Sequence, residues 1–119
     1  MSNNPVAFFE VVGRDAEALR RFYGDAFGWQ MQEFTPISGY AMVRTGEGGE
    51  VGGGIGPAYE EGPGHATFYV EVPDLDEALG KIESLGGRKV MGPAEVVPGG
   101  LSIALFAGPE GHLVGLFKP

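Results

Sequence analysis

The chain has 119 residues, 43% of them hydrophobic, which suits one domain or two small units sharing a core without cross-links. It has no cysteine, so disulfides, a thiolate nucleophile and thiolate metal ligands are excluded. Lys and Arg number 8 against 16 Asp and Glu, a net charge of −8 that argues against a nucleic-acid backbone as partner. The same charge is compatible with a cationic ligand, although its commonest role is solubility.

The opening Met1-Ser2-Asn3-Asn4-Pro5 has neither a basic nor an apolar region, so no signal peptide is expected there. No apolar run approaches the roughly 20 residues that cross a bilayer, and no basic amphipathic stretch suggests a membrane surface. The expectation is a cytoplasmic protein that meets neither membrane nor nucleic acid.

Residues 6–12 (Val-Ala-Phe-Phe-Glu-Val-Val) have the β-branched and aromatic content of a strand. Alternation puts Phe8 and Glu10 on one face and Ala7, Phe9 and Val11 on the face that meets the following helix. Asp15 is an N-cap, with Glu17 in the first turn. Leu19, Phe22, Tyr23, Ala26 and Phe27 recur at helical spacing along one side, and Gly28 supplies a left-handed C-cap. Strand candidates follow at 30–34, 40–44 and 51–55. Residues 46–64 form a glycine-rich join closed by Gly62-Pro63, in which Glu60 and Glu61 are most simply solvated. Gly52, Gly53, Gly54 and Gly56 lack both the Lys-Ser/Thr of a phosphate loop and a helix behind them, so they are expected to let the backbone pass close to a neighbour or ligand.

The second half repeats this plan at an offset of about 60 residues. Residues 65–72 form a strand with His65, Thr67, Tyr69 and Glu71 on a polar face, and Ala66, Phe68, Val70 and Val72 on an apolar face expected to pack under a helix. Asp74 caps that helix, Leu75, Ala78, Leu79 and Ile82 line one side, and Gly86-Gly87 ends it. Strands at 89–91, 101–106 and 112–117 complete a doubled β-α-β-β-β pattern. The expected fold class is α+β, with one module at about 5–56 and a second at about 65–118. Neither a G-x-S-x-G elbow nor an H-E-x-x-H pair is present.

The run Arg21-Phe22-Tyr23 leading to Phe27-Gly28-Trp29 resembles the opening of a vicinal oxygen chelate module of the glyoxalase/bleomycin-resistance superfamily. Val72-Pro73-Asp74-Leu75 through Leu79, with Gly86-Gly87, resembles a second such opening. Phe106-Ala107-Gly108-Pro109-Glu110-Gly111-His112 resembles the closing turn. The resemblance covers nearly the whole chain. It implies two modules forming a curved mixed sheet around a cleft with helices outside, and a homodimer.

In metal-using members of that superfamily, one ligand comes from the first and one from the last strand of each module. The corresponding positions here are Phe8, the Gly52–Gly54 region, Thr67 and Gly115, which supply no charged or imidazole donor. No metal and no cofactor are therefore expected, with Zn, Ni, Mn or Fe as the alternative. His65 stands two residues before the ligand position. It reads either as a hydrogen-bonding group at the sheet rim or as part of a shifted ligand set with Glu10 or Glu71. His112 reads as an exposed turn residue. Glu10 needs a partner, since a lone buried carboxylate is costly; Arg44, Tyr69 or a cationic ligand would serve. Trp29 reads as core or dimer interface, or else as apolar wall beside Met42.

The leading expectation is a metal-independent protein that binds a small organic ligand, cationic or aromatic, in the cleft. Phe8, Tyr69, Phe106 and Phe117 would be its apolar walls and Glu10 and Glu71 its polar contacts, with Met42, His65, Thr67 and Gly115 also lining it. One alternative is a lyase, isomerase, epimerase or dioxygenase-like enzyme, either with a shifted metal site or in metal-free form with Glu10 or Glu71 as general base. Another is a regulatory or interaction module whose cleft is filled by its own side chains.

Overall fold

The computed structural model describes residues 4–46, 51–58 and 64–119. In chain order the elements are β1 (Val6–Gly13), α1 (Ala16–Phe27), β2 (Gln30–Glu33), β3 (Ala41–Arg44), β4 (Gly52–Pro57), β5 (His65–Glu71), α2 (Leu75–Ser84), β6 (Arg88–Glu95), β7 (Ser102–Ala107) and β8 (Leu113–Lys118). This is the doubled β-α-β-β-β plan of an α+β fold. The chain divides into two compact units, residues 8–66 and residues 4–7 with 67–119.

In the unit of residues 8–66 the strands run in the order β2-β3-β4-β1. β1 is parallel to β4, with Glu10 beside Gly54 and Phe8 beside Gly52, while β3 is antiparallel to both β2 and β4. The Asp15 carboxylate accepts from the Ala18 N–H at 3.0 Å, so it caps α1 as its position suggests. Gly28 closes the helix at φ 72°, a left-handed conformation that a Cβ would oppose. The helix does not bury its apolar side as its periodicity predicts: none of its residues is buried, and Phe22 and Phe27 are each 62% exposed. Its inward contacts are aromatic instead. Tyr23 stacks on Trp29 with ring centres 5.8 Å apart, and Phe9 of β1 meets the same indole at 5.4 Å. Trp29 thus belongs to the packing under α1, not to a ligand wall.

In the other unit the order is β5-β8-β7-β6, with β5 parallel to β8 and the remaining pairs antiparallel. Asp74 accepts from Glu77 N–H at 2.9 Å and starts α2. The helix buries Leu75 and Leu79 against Val72, Ala104 and Leu116, with Val70, Ala78, Ile82 and Phe106 packed around that cluster. Pro5 joins this unit by accepting from the Glu71 N–H at 2.8 Å. The apolar face predicted for β5 is covered only at its C-terminal end. Val70 and Val72 reach the core, whereas Phe68 is 42% exposed and Ala66 is exposed as well. The reason is the path of α2, which lies over β6, β7 and β8. β6 is longer than the predicted 89–91, running to Glu95 through register shifts opposite β7. Among the described residues no helix is long and apolar enough to cross a membrane.

Candidate functional site

The glycine run of β4 decides what can stand next to Glu10. Gly53 faces the α1 side, where the Phe9 ring lies over it. Gly54 and Gly56 face the other side, where the ring of Tyr40, from the residue before β3, lies flat over both. A Cβ at Gly53 or Gly54 would collide with the ring above it, so each face of the strand accepts a neighbouring aromatic only because side chains are missing.

From this bed the Tyr40 hydroxyl donates to Glu10 Oε2 at 2.7 Å, a charge-assisted bond of short length. His65 Nε2 stands 3.6 Å from Glu10 Oε1, an ion-pair distance longer than a hydrogen bond. Glu10 is 2% exposed and Tyr40 6%, while the His65 side chain keeps 20% of its surface open. The unit therefore holds a buried carboxylate with a phenol at one oxygen and an imidazole near the other. Such a group can anchor a ligand's hydrogen-bond donor, or accept a proton.

Neighbours on the same sheet face extend this group. Met42, 41% exposed, lies beside Gly54 in the β3–β4 register, and half-buried Phe8 lies beside Gly52. Arg44, anticipated as a partner of Glu10, is exposed at the end of β3. Tyr40 is the residue that sequence reasoning misses. Two glycines at consecutive same-face positions, beside a carboxylate that must be paired, are the signal that a large polar aromatic has to cover them.

The other unit repeats the device. Tyr69 is fully buried, and its ring lies over its register partner Gly115, again where a Cβ would collide. Thr67 Oγ1 donates to the Leu113 carbonyl at 2.6 Å. Phe117 pairs with Glu71 on β5 and shares the face of Gly115, and Glu71 is half-buried. Phe106 departs from its expected role as a ligand wall. Its parity along β7 is that of Ala104, so it packs toward α2 with Ala78 and Ile82. His112 is exposed in the turn before β8, while Glu60, Glu61 and Gly62-Pro63 lie outside the described residues.

The superfamily resemblance places metal ligands at Phe8, the Gly52–Gly54 region, Thr67 and Gly115. A donor side chain at Gly54 or Gly115 would strike a tyrosine ring, Thr67 already donates to backbone, and Phe8 has no donor atom. These residues do not fit a divalent metal. Among the described residues no group of three or more His, Cys, Asp or Glu side chains is arranged to hold one; Glu10 and His65 make a pair.

Comparison with solved structures shows the same fold in proteins of low identity. Methylmalonyl-CoA epimerase from Mycobacterium tuberculosis aligns over 100% of this chain and 92% of its own, with TM-score 0.63 and 18% identity. A glyoxalase/bleomycin resistance protein/dioxygenase superfamily member from Vibrio splendidus 12B01 aligns over 98% and 100%, with TM-score 0.66 and 14% identity. A hypothetical protein from Bacillus halodurans C-125 aligns over 99% and 96%, with TM-score 0.64 and 15% identity. No curated protein matches the sequence. The model of the Glyoxalase/Bleomycin resistance protein/Dioxygenase superfamily matches residues 6–116, and the chain belongs to that superfamily.

Proposed function

We propose that this protein binds a small organic molecule without a metal. Glu10, held by Tyr40 and with His65 near its other oxygen, is the fixed polar contact, and Phe8 and Met42 are apolar floor beside it. The observation that carries this reading is the placement of Tyr40 over Gly54 and of Tyr69 over Gly115. Aromatic rings stand where metal-binding side chains would have to project, while a buried carboxylate is kept in place among polar partners. On this reading the protein works in the cytoplasm, and the carboxylate favours a ligand with a cationic or hydrogen-bond-donating end on an aromatic body.

Thermal unfolding tests the reading directly. A panel of cationic aromatic compounds should include one that stabilises the protein by about 2.7 kcal/mol at a hundred times its Kd, and Glu10→Gln should remove that shift. Zn, Ni, Mn and Fe ions should give none. Stoichiometric metal in protein purified without chelators, or a panel with no stabilising member, would defeat the reading.

The same geometry supports a second reading, a metal-free enzyme with Glu10 as general base. Its support is the carboxylate lying between a phenol and an imidazole, and one structural neighbour is a methylmalonyl-CoA epimerase. Exchange of a ligand C–H proton with solvent deuterium, lost in Glu10→Gln with binding of that ligand retained, separates this from binding alone. Glu71 is the less supported base candidate, being half-buried with no comparable polar cluster beside it among the described residues.

A further inference from the structure

The path of α2 leaves a hollow on the helix side of its sheet. The helix lies over β6, β7 and β8, so the face of β5 on that side is only partly covered. A groove of about 430 Å³ runs there, within the size range of small-molecule sites. Its floor is apolar, formed by buried Val72 and Leu116 and half-buried Val70 and Phe106. Ala78 and Ile82 of the helix make one wall, and Leu85 at the helix C-cap, 70% exposed, extends it. Asn4, next to the Pro5 that bonds to β5, completes the lining.

The rim of this groove is charged, with Asp74, Glu77 and Lys81 all lining it. The Asp74 carboxylate is engaged as the helix cap, accepting from the Glu77 N–H at 2.9 Å. Glu77 and Lys81 are both exposed and lie one helical turn apart, about 6 Å along the axis. Among the described residues neither side chain is held in an ion pair. An apolar groove bordered by one carboxylate and one ammonium at this spacing matches a small zwitterion with an apolar side chain. A simple carboxylate would meet Lys81 but lie beside Glu77 and Asp74, in a chain whose net charge is −8. A simple amine would meet Glu77 and face a like charge at Lys81.

We propose that this groove binds a free apolar α-amino acid, of the leucine or phenylalanine class. The ammonium of the ligand lies at Glu77, its carboxylate at Lys81, and its side chain over Val70, Ile82 and Phe106. Both charges of such a molecule are borne on one carbon, so neighbouring turns of a single helix can meet them together. The site needs none of the residues around Glu10 and is independent of the ligand-binding reading above. Exposed charge pairs contribute little each, so burial of the apolar side chain supplies most of the affinity. A Kd on the order of 0.1 mM follows for so small a ligand.

Calorimetric titration of the full chain with L-leucine and L-phenylalanine tests it, and amide NMR shifts locate the ligand. Those shifts should centre on Val70, Ala78, Ile82 and Phe106. Octanoate and hexylamine, the anion-only and cation-only probes, should each bind about tenfold more weakly than the better amino acid. Lys81→Glu turns an attraction into a repulsion and should weaken amino-acid binding about tenfold. Leu85→Glu alters an exposed position and should weaken it by a similar factor, with circular dichroism confirming that both variants are folded. No binding of either amino acid at about 10 mM, octanoate or hexylamine binding as tightly as the amino acids, an unchanged affinity in either variant, or shifts centred on Glu10 and Tyr40 would each overturn the proposal.

Discussion

Replacing Tyr40 by Phe removes one oxygen and leaves nearly everything else in place. The ring that covers Gly54 and Gly56 is retained, so no cavity opens. What disappears is the 2.7 Å donor to a carboxylate that is 2% exposed. A hydrogen bond to a charged group contributes about 1.5–3 kcal/mol, and burial of both partners argues against discounting it for solvent. A loss of about 2 kcal/mol is expected. With an unfolding entropy of about 2.1 cal/mol/K per residue, this chain should lose roughly 8 °C in Tm. Calorimetry of the parent, Tyr40→Phe, Glu10→Leu and the double variant gives the coupling between the two groups. The double variant should be more stable than the sum of the singles implies, by about 2 kcal/mol. Additivity to within about 0.5 kcal/mol would refute the reasoning, because the hydroxyl and the carboxylate would then act independently.

Gly115→Ala should destabilise the other unit. Alanine at an ordinary backbone angle gains about 0.4–1 kcal/mol through the unfolded chain. Here, however, its Cβ would strike the buried Tyr69 ring, and overpacking costs about 1–3 kcal/mol. A urea midpoint equal to or above that of the parent would mean that the ring gives way freely. Asp74→Ala removes the N-cap that accepts from Glu77 and should cost about 1 kcal/mol, read from the same urea curves. An unchanged midpoint would show that the cap contributes nothing.

Much of this protein was legible along the chain. Asp15 and Asp74 mark helix starts and Gly28 a helix end because capping is decided by residues next to one another in sequence. Alternation along β1 correctly separates Phe9, which meets Trp29, from Glu10, which does not, because the period of a strand is local. The misreadings have a common origin. For Phe22, Phe68 and Phe106 the pattern along the chain says which residues share a side, but not what covers that side.

The glycines and Glu10 draw the same distinction at the candidate site. A carboxylate on β1 is legible in the chain alone, as are Phe8, glycines and Thr67 at the positions where the superfamily resemblance places metal ligands. So are the small residues of β4, but not what they make room for. Tertiary packing alone sets Tyr40, thirty positions from Glu10, in the room above Gly54 and Gly56, where it donates to the carboxylate. It likewise brought His65 to the other carboxylate oxygen. Those choices depend on strand register and on which ring reaches which gap. They are set by packing between segments distant in the chain, which no local pattern encodes.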